Sequence, residues 1–325
     1  MDRPALACHR CTVYKVAERT ISHYKILEKL GQGGMGTVYK AEDQRLKRTV
    51  ALKFLTQAAF DDDDARQRFV REAQTAAVLD HPNICATYRI EDEQGAAFIV
   101  MAYVEGEDLD ARMSRQPLET AEVIRIVSDV AQGLLEAHTK GVVHRDIKPG
   151  NIKLTAKGAK VMDFGLAKLA DSPHLTRTGM IVGTAAYMSP EQTLGKSVDH
   201  RTDIWSLGVV MYQMLARRLP FTGAYEQEIR YGVINEAPES LVGLQPEISP
   251  SLEAIVFKAI AKAPDARYQS AAEVLRDLSE EQRKTEATPA PHPPPPQQRS
   301  MYVIVGVLSV LLLVALAVIG WLALN

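Results

Sequence analysis

Cysteine is scarce in this chain of 325 residues, which contains only Cys8, Cys11 and Cys85. An odd and sparse set of thiols argues against a disulfide framework and is typical of a reducing compartment such as the cytosol. An excess of either charge is also missing, because 38 Lys and Arg face 40 Asp and Glu and leave a net charge of -2. Without a basic stripe, nucleic acid is not expected as a partner.

Cys8 and Cys11 have His9 between them, a spacing that can bind zinc. A structural zinc site needs four ligands and usually takes a second pair of them from elsewhere. Only His23 or a partner chain could complete this set. Zinc binding and a reactive thiol pair are therefore minor alternatives to an unstructured N-terminal extension over residues 1–23.

No charged side chain occurs between residues 301 and 324. As a helix, the run YVIVGVLSVLLLVALAVIGWLAL would extend roughly 35 Å, whereas the hydrocarbon core of a bilayer is about 30 Å thick. A buried helix of this length in a globular domain would normally carry a polar stripe. The sequence therefore predicts one transmembrane helix over residues 301–324.

Residues around this span predict its orientation. Tyr302 and Trp321 stand near its two ends, as interfacial aromatic residues do. Arg283, Lys284 and Arg299 precede it, whereas a single uncharged residue follows it. Because positive flanks stay in the cytoplasm, we expect a single-pass protein of the cell (inner) membrane with a cytoplasmic N-terminal part and an outside C-terminus.

The remaining chain has the composition of a globular protein with one or two domains, at 46% apolar and 24% charged residues. Residues 279–300 lose apolar periodicity and become proline-rich, which predicts a charged and then polyproline-like juxtamembrane linker. An SH3-type ligand in this run is a less favoured alternative, because a PxxP pattern arises there by chance.

Residues 24–278 change character once, which predicts an α+β fold of two lobes. Short strand-like runs with one main helix, near residues 65–79, indicate a small β-rich N-terminal lobe over about 24–102. Helical spacing dominates afterwards and indicates a larger helical lobe over about 107–278. A cleft between two such lobes is a common place for a ligand. The clearest patterns are strands at 37–39, 49–55, 97–101, 151–154 and 159–162 and helices at 121–138, 203–215 and 252–261.

The first motif is GQGGMGTV, residues 31–38. Glycines let the backbone turn sharply and bring N–H groups close to phosphate oxygens. A Rossmann unit would continue into a helix, and a Walker loop would continue with Lys and Ser or Thr. Here a strand pattern follows, so we expect a glycine-rich flap over phosphates between two strands.

Lys53 ends the apolar run VALK, and Glu72 lies in the helical pattern near its buried stripe. Taken singly, such a lysine is usually an edge residue and such a glutamate is usually solvated. Together, seventeen residues beyond Gly36, Lys53 gains weight as a functional residue that Glu72 could reach. The acidic run 61–64 indicates a helix start stabilised by the macrodipole more than a metal site.

Two further motifs are HRDIKPGN, residues 144–151, and DFG, residues 163–165. Asn151 and Asp163 follow each other by twelve residues on predicted adjacent strand ends. Carboxylate and amide oxygens are ligands that Mg²⁺ accepts, with ATP phosphates and water completing the shell. The two motifs therefore predict a shared magnesium and ATP site.

In order, GxGxxGxV, VALK, a helix glutamate, HRDxKxxN, DFG and Ser189-Pro190-Glu191 resemble the signature set of protein kinases. HRDIKPGN, GTAAYMSPEQ and the single span are most similar to bacterial eukaryotic-like (Hanks-type) transmembrane serine/threonine protein kinases. The resemblance covers residues 24–278. It implies the two-lobed protein kinase fold and transfer of the γ-phosphate of ATP to Ser or Thr hydroxyls of proteins, in signal transduction.

The resemblance also implies individual roles. Lys53 would contact the α- and β-phosphates and pair with Glu72, while Lys148 would steady the γ-phosphate. Asn151 and Asp163 would hold Mg²⁺, with Mn²⁺ as a substitute. The implied ATP-binding residues are Leu30, Gly31, Gln32, Gly33, Gly34, Met35, Gly36, Thr37, Val38, Ala51, Lys53, Met101, Tyr103 and Val104.

Asp146 lies between Arg145 and Lys148. Two neighbouring cations favour the ionised carboxylate and make it a weak stand-alone base. The resemblance answers this difficulty, because in phosphoryl transfer through a loose transition state the nucleophile needs orientation more than early deprotonation. Asp146 would hold the substrate hydroxyl and accept its proton late.

Other residues have supporting roles by the same resemblance. Asp203 would brace the backbone around Asp146, and Glu191 would pair with Arg267. Arg145 could pair with phosphate on the segment after DFG and order it. The implied autophosphorylation sites are Thr176 and Thr178, and Thr184 matches the substrate-contacting threonine of the serine/threonine type.

Two other readings stay open from the residues alone. One is a nucleotide-binding scaffold without turnover, although Lys53, Asp146 and Asp163 are all present. The other is a small-molecule kinase, against which the SPE, Asp203 and Arg267 elements argue. The resemblance allows a homodimer. Substrates, the activating signal and whether the chain is the first part of a longer receptor do not follow from the sequence.

Overall fold

The structure is a computed structural model that describes residues 20–33, 36–55, 77–93, 96–164, 185–287 and 309. Several predictions fall outside these ranges and stay predictions. They concern Cys8, Cys11, Gly34, Met35, Glu72, Gly165, Thr176, Thr178 and Thr184. The predicted span 301–324 also lies outside the description except for Ser309, and no helix within the described ranges is long and apolar enough to cross a membrane.

The N-terminal part is built on a six-stranded antiparallel sheet with strand order β1-β2-β3-β4-β6-β5. Adjacent strands in the sequence are joined as hairpins, except that β6 inserts between β4 and β5. The sheet begins before Tyr24, where the domain was predicted to start, because a short strand pairs with β2. Its strands are β1 (Thr20–Ile21), β2 (Tyr24–Gly33), β3 (Gly36–Asp43), β4 (Arg48–Leu55), β5 (Thr87–Glu93) and β6 (Ala96–Ala102).

Strand alternation divides this sheet into two apolar faces. Val50 and Leu52 of β4 pack with Phe98 and Val100 of β6 on one face, in a cluster that also contains Tyr24. The intervening residues of the same strands form a second cluster on the opposite face. Successive side chains in a strand point to opposite faces, so a fully apolar strand can bury both.

The C-terminal part is mainly helical, as predicted. A small antiparallel sheet, β7 (Glu107–Asp108), β8 (Ile152–Thr155) and β9 (Gly158–Val161), accompanies the helices. The described helices are α1 (Leu109–Arg115), α2 (Thr120–Thr139), α3 (Pro190–Thr193), α4 (Arg201–Ala216), α5 (Glu226–Asn235), α6 (Leu241–Leu244), α7 (Pro250–Ala259) and α8 (Ala271–Ala287). Short 3₁₀ turns occur at Pro149–Asn151, Ala185–Tyr187 and Pro264–Ala266.

Helix α4 is the centre of the C-terminal core. It is apolar almost all round and nearly every residue is buried, including Trp205 at 0% exposure. A helix without a polar face has to be enclosed by other elements. At Gly208 an added Cβ would lie 2.7 Å from side-chain atoms of both Ala259 and Ile260, so the glycine lets α7 pack directly against α4.

The helix boundaries differ from the predictions at two places. Residues 77–79 form a turn and loop, so the helix predicted over 65–79 does not reach Leu79; its earlier part lies outside the described ranges. Helix α8 continues past Leu278 to Ala287, so the charged part of the predicted linker begins as helix. Within α8, the buried Glu281 accepts hydrogen bonds from Ser249 and Ser251 at the start of α7. That anchor favours helix over spacer, and sequence periodicity does not reveal it.

Candidate active site

One face of the six-stranded sheet carries the predicted lysine. Val38 lies directly opposite Lys53, and Lys53 lies opposite Ile99. Residues opposite each other in an antiparallel sheet point to the same face. Ala51 and Met101 form the next pair on this face, so strand register alone groups four predicted nucleotide-binding residues.

An apolar cluster lies beside Lys53 on this face. Its buried members are Ala51, Cys85, Ile99 and Met101, with Val38, Val104 and Met162 packed against them. Apolar pockets with a few placed polar groups are typical small-molecule sites. Cys85 was not predicted here. Its thiol contacts the Ala102 carbonyl, and burial raises its pKa to about 12, so it forms part of an apolar wall and is not a reactive thiolate.

Tyr103 follows β6 and is half-buried. The ammonium of Lys40 in β3 lies 4.6 Å from the centroid of the Tyr103 ring. Lys40 also pairs with Glu28 of β2 at 3.2 Å. These contacts connect the segment after β6 to the first hairpin of the sheet. Leu30 lies on β2 with 44% of its side chain exposed.

The glycine-rich motif lies between two strands, as predicted. Gly31, Gln32 and Gly33 end β2, and Gly36 and Thr37 begin β3. Gly36 has a φ of 148°, a conformation that side-chain-bearing residues rarely adopt. The hairpin register places Gln32 opposite Thr37.

Lys53 meets the DFG aspartate across the cleft. Its ammonium lies 2.9 Å from a carboxylate oxygen of Asp163, and the lysine side chain is only 8% exposed. Such a pair brings together a cation suited to phosphate oxygens and an anion suited to a metal ion. The predicted partner of Lys53, Glu72, lies outside the described ranges.

Asp146 lies at the centre of a hydrogen-bonded loop over residues 144–151. Its carboxylate accepts from the Lys148 ammonium at 2.8 Å and from the Asn151 side-chain amide at 2.9 Å. The same amide donates to the Asp146 carbonyl at 2.8 Å. Three residues from the HRDIKPGN motif therefore converge on one carboxylate that remains partly exposed to the cleft.

Asn151 and Asp163 fit a divalent cation by their chemistry. Both amide protons of Asn151 are directed at Asp146, which leaves the Oδ1 oxygen as the side-chain atom suited to a hard cation. The backbone brings the two residues' segments together, because the N–H of Met162 donates to the Asn151 carbonyl at 2.8 Å. Asp163 itself has a φ of 58°.

His144 ties this loop to the DFG segment. Its Nδ1 accepts the backbone N–H of Asp146 at 3.2 Å, so that nitrogen carries no proton. Its Nε2 therefore donates to the Met162 carbonyl at 2.8 Å. The ring also makes an edge contact with the buried Phe164, at 4.6 Å between centroids. A neutral imidazole thus connects the two motifs.

Asp203, at the start of α4, holds the loop from below, as the resemblance implied. Its two carboxylate oxygens accept the backbone N–H groups of His144 at 2.8 Å and Arg145 at 2.7 Å, and His138 contributes a third contact at 2.8 Å. Burial alone raises the pKa of Asp203, but the hydrogen bond and charge of His138 and the contacts of His144 outweigh it, so the pKa is lowered. Asp203 is an anion fully enclosed by donors.

Glu191 and Arg267 form a buried bidentate pair. The two guanidinium nitrogens lie 2.7 and 2.8 Å from the two carboxylate oxygens. Burial raises the pKa of Glu191, but the Arg267 hydrogen bonds outweigh it and lower the pKa overall. Arg267 also donates to the Ala261 and Lys262 carbonyls, so it anchors α3 to the segment after α7.

Comparisons with known proteins match this arrangement. A family model described as "Protein kinase domain" matches residues 24–278. The chain is 44% identical over 262 residues to serine/threonine-protein kinase PknB of Mycobacterium leprae, covering 78% of this chain and 42% of that protein. It is 38% identical over 288 residues to serine/threonine-protein kinase pkn3 of Myxococcus xanthus, covering 83% and 53%. The chain thus spans about half or less of the length of these relatives.

A solved structure has the same fold. The crystal structure of the Mycobacterium tuberculosis PknI kinase domain superposes with a TM-score of 0.66 at 30% sequence identity. The match covers 86% of this chain and all of that domain. The two-lobed architecture, with its β-rich N-terminal lobe and helical C-terminal lobe, is therefore shown by both the chain's own structure and this likeness.

Proposed function

This chain belongs to the protein kinase family, in its bacterial serine/threonine branch, and from that premise we propose that it transfers the γ-phosphate of ATP to Ser or Thr hydroxyls of proteins. The observation that supports this proposal is the convergence of Asp146, Asn151, Lys53 and Asp163 at one cleft. A scaffold without turnover would not need an Asp146 held by three other loop residues. The same arrangement accounts for orientation, charge neutralisation and phosphate contact.

The residues divide the chemistry among them. Asp146 accepts a hydrogen bond from the substrate hydroxyl and orients it, and takes its proton late as the new O–P bond forms and the bond from the γ-phosphorus to the β-phosphate's bridging oxygen breaks. Lys148 and Lys53 supply positive charge on either side of the transferred group. Asn151 and Asp163 would hold Mg²⁺, which when bound neutralises phosphate charge.

The apolar cluster formed by Val38, Ala51, Met101, Val104 and Met162 suits the adenine ring. The glycine-rich hairpin suits the phosphates, because a strand-to-strand turn with glycines exposes backbone N–H groups. Both assignments follow from the geometry of the cleft together with the family resemblance.

We further propose that autophosphorylation of Thr176 and Thr178 activates the enzyme. Each phosphate would add close to two negative charges at neutral pH, which a guanidinium can pair with. Arg145 is the candidate partner, because it lies directly before Asp146 in the loop. The backbone of Arg145 is already fixed by Asp203, so its side chain starts from a defined position.

The proposal also includes a membrane anchor. Residues 301–324 carry no charge and are long enough to cross a bilayer as a helix. With the preceding positive residues on the inner side, the kinase domain would face cytoplasmic protein substrates. A homodimer held through the span or the small lobe belongs to the same proposal.

One experiment tests the activity. The full chain and its Asp146→Asn variant are each incubated with Mg-ATP and a general protein substrate, and phosphosites are mapped by mass spectrometry. We expect phosphate on substrate Ser and Thr, and on Thr176 or Thr178, only with the unaltered chain. Equal ATP binding without phosphate in either protein would support a nucleotide-binding scaffold instead.

A further inference from the structure

The side chain of Gln192 connects helix α3 to the loop 144–151. Its Nε2 donates to the backbone carbonyl of Arg145 at 2.9 Å. Its Oε1 accepts the backbone N–H of Ser189 at 3.0 Å and the hydroxyl of Thr202 at 2.8 Å. One amide thus bridges α3, the start of α4 and the residue before Asp146.

The orientation of this amide is determined by its partners. The backbone N–H of Ser189 can only donate, so the atom facing it must be the Gln192 oxygen. The NH₂ group therefore faces the Arg145 carbonyl, which can only accept. Ser189 and Thr202 are both fully buried, and the Thr202 hydroxyl also contacts the Ser189 hydroxyl at 2.7 Å, so this bracket is rigidly packed.

The peptide that Gln192 binds is the one that carries Asp146. Arg145 has a φ of 68°, a left-handed conformation that is unfavourable for a residue with a side chain and needs support from its surroundings. Its N–H is held by Asp203 at 2.7 Å. The next peptide, between Arg145 and Asp146, has its N–H bound to His144 Nδ1 and its carbonyl bound to Gln192.

That peptide plane is therefore held at both ends by side chains from outside its own pair of residues. Without the Gln192 donor, only the His144 contact at 3.2 Å would resist its rotation. Rotation of a peptide plane shifts the side chain that follows it, and small displacements of a catalytic group reduce turnover strongly.

We propose that Gln192 is a positioning residue for phosphoryl transfer, acting on Asp146 through the Arg145 carbonyl. The inference rests on the proposed function, because it takes Asp146 as the residue that orients the substrate hydroxyl. It also connects two anchors: α3 is fixed to the C-terminal core by Glu191 and Arg267, and Gln192 passes that fixed position on to the loop.

The test separates the donor of Gln192 from its acceptor. Gln192→Glu keeps an oxygen for Ser189 and Thr202 but removes the donor to Arg145, so the bracket should fold while the peptide is released. Gln192→Lys keeps a donor and removes the acceptor. Gln213→Glu is the matched control, because Gln213 uses its oxygen to accept from Tyr187 and a glutamate retains that contact.

For the full-length variants, kcat, KM for ATP and Tm are measured on a general protein substrate. We expect Gln192→Glu to lower kcat by about tenfold or more while KM changes less than about twofold, because binding residues stay in place. We expect Gln192→Lys to retain more of kcat than Gln192→Glu despite a lower Tm, and Gln213→Glu to behave as the unaltered chain.

The inference is overturned if Gln192→Glu keeps kcat within about twofold of the unaltered chain. It is also overturned if kcat falls in both Gln192 variants in proportion to Tm, since that pattern shows a general packing role. The unaltered chain distinguishes the two levels of proposal: if it does not phosphorylate the substrate, the proposed function fails, whereas an active chain that is insensitive to the donor refutes only the role of Gln192.

Discussion

On the sheet side of the cleft Lys53 is placed by strand register, whereas on the loop side Asp146 is placed by polar side chains from distant elements. Lys53 needs only the pairings of β4 with β3 and β6, which fix the face to which it points. Asp146 depends on Asp203 and Gln192, which bind the backbone of the residue before it.

The difference concerns how chemistry and stability are coupled. In the sheet, backbone hydrogen bonds carry the architecture, so a functional side chain can change without disturbing its support. In the loop, buried polar groups are both the support and the fold, and each must keep its partner. Variants on the two sides should therefore separate loss of activity from loss of stability.

The largest effect is expected for Lys53→Met on the sheet side. Removing the ammonium should lower kcat/KM by more than about a hundredfold, because a charge that contacts phosphates is lost. The free energy of unfolding should change by less than about 1 kcal/mol, since a buried cation is relieved while Asp163 stays 28% exposed to water.

Kinetics and urea unfolding of the same protein check this expectation. Lys25→Met, at an exposed position on β2, matches the change in charge and should affect neither quantity. A loss of several kcal/mol in Lys53→Met would show that the Lys53–Asp163 pair also supports the fold, and the contrast between the two sides would not hold.

A smaller effect on activity but a larger one on stability is expected for Asp203→Asn. One amide oxygen cannot replace two carboxylate oxygens that accept from His144, Arg145 and His138, and the new NH₂ group would face a donor. We expect the free energy of unfolding to fall by about 3 kcal/mol or more, and kcat to fall by about tenfold.

Asp129→Asn is the control for this variant. Its carboxylate accepts one backbone N–H, from Ala159 at 2.8 Å, and an amide oxygen can accept the same bond. It should therefore lose less than about 1 kcal/mol. An Asp203→Asn protein that unfolds at the urea concentration of the native chain would place the support of the loop elsewhere.

The contrast also explains what could be predicted from the sequence. Alternation in VALK and the β6 run predicts two strands and the face of Lys53, because register in a sheet with buried faces is local information. The motif residues Asp146, Asn151 and Asp163 were identified by spacing, and the structure brings their segments together.

The remaining features depend on packing between distant segments. Gln192 and the Arg145 carbonyl are 47 positions apart, and Gln192 reads locally as an ordinary residue in the first turn of a helix. Cys85 joins the apolar wall only after β4, β6 and the segment before β5 have assembled. The capping pattern Ser-x-x-Gln did predict the start of α3, but a second partner for the glutamine could not be read from it.

The smallest effect, and the one that sharpens the loop side of the comparison, is the pH dependence of Glu191. Its pKa in the folded chain is lowered, so below the ordinary glutamate value of 4.5 the unfolded chain binds more protons than the folded one. The contribution of the Glu191–Arg267 pair is complete above that value and is lost as the pH falls through the folded pKa. Glu191→Gln removes this titration and about 2 kcal/mol of charge-assisted hydrogen bonding at neutral pH.

The free energy of unfolding of Glu191→Gln should therefore fall less steeply between about pH 4.5 and lower pH than that of the native chain. Glu105→Gln, at an exposed carboxylate, serves as the control and should follow the native curve. Parallel curves for Glu191→Gln and the native chain would mean that Glu191 adds no acid sensitivity, and that Asp203 alone couples the loop side of the cleft to pH.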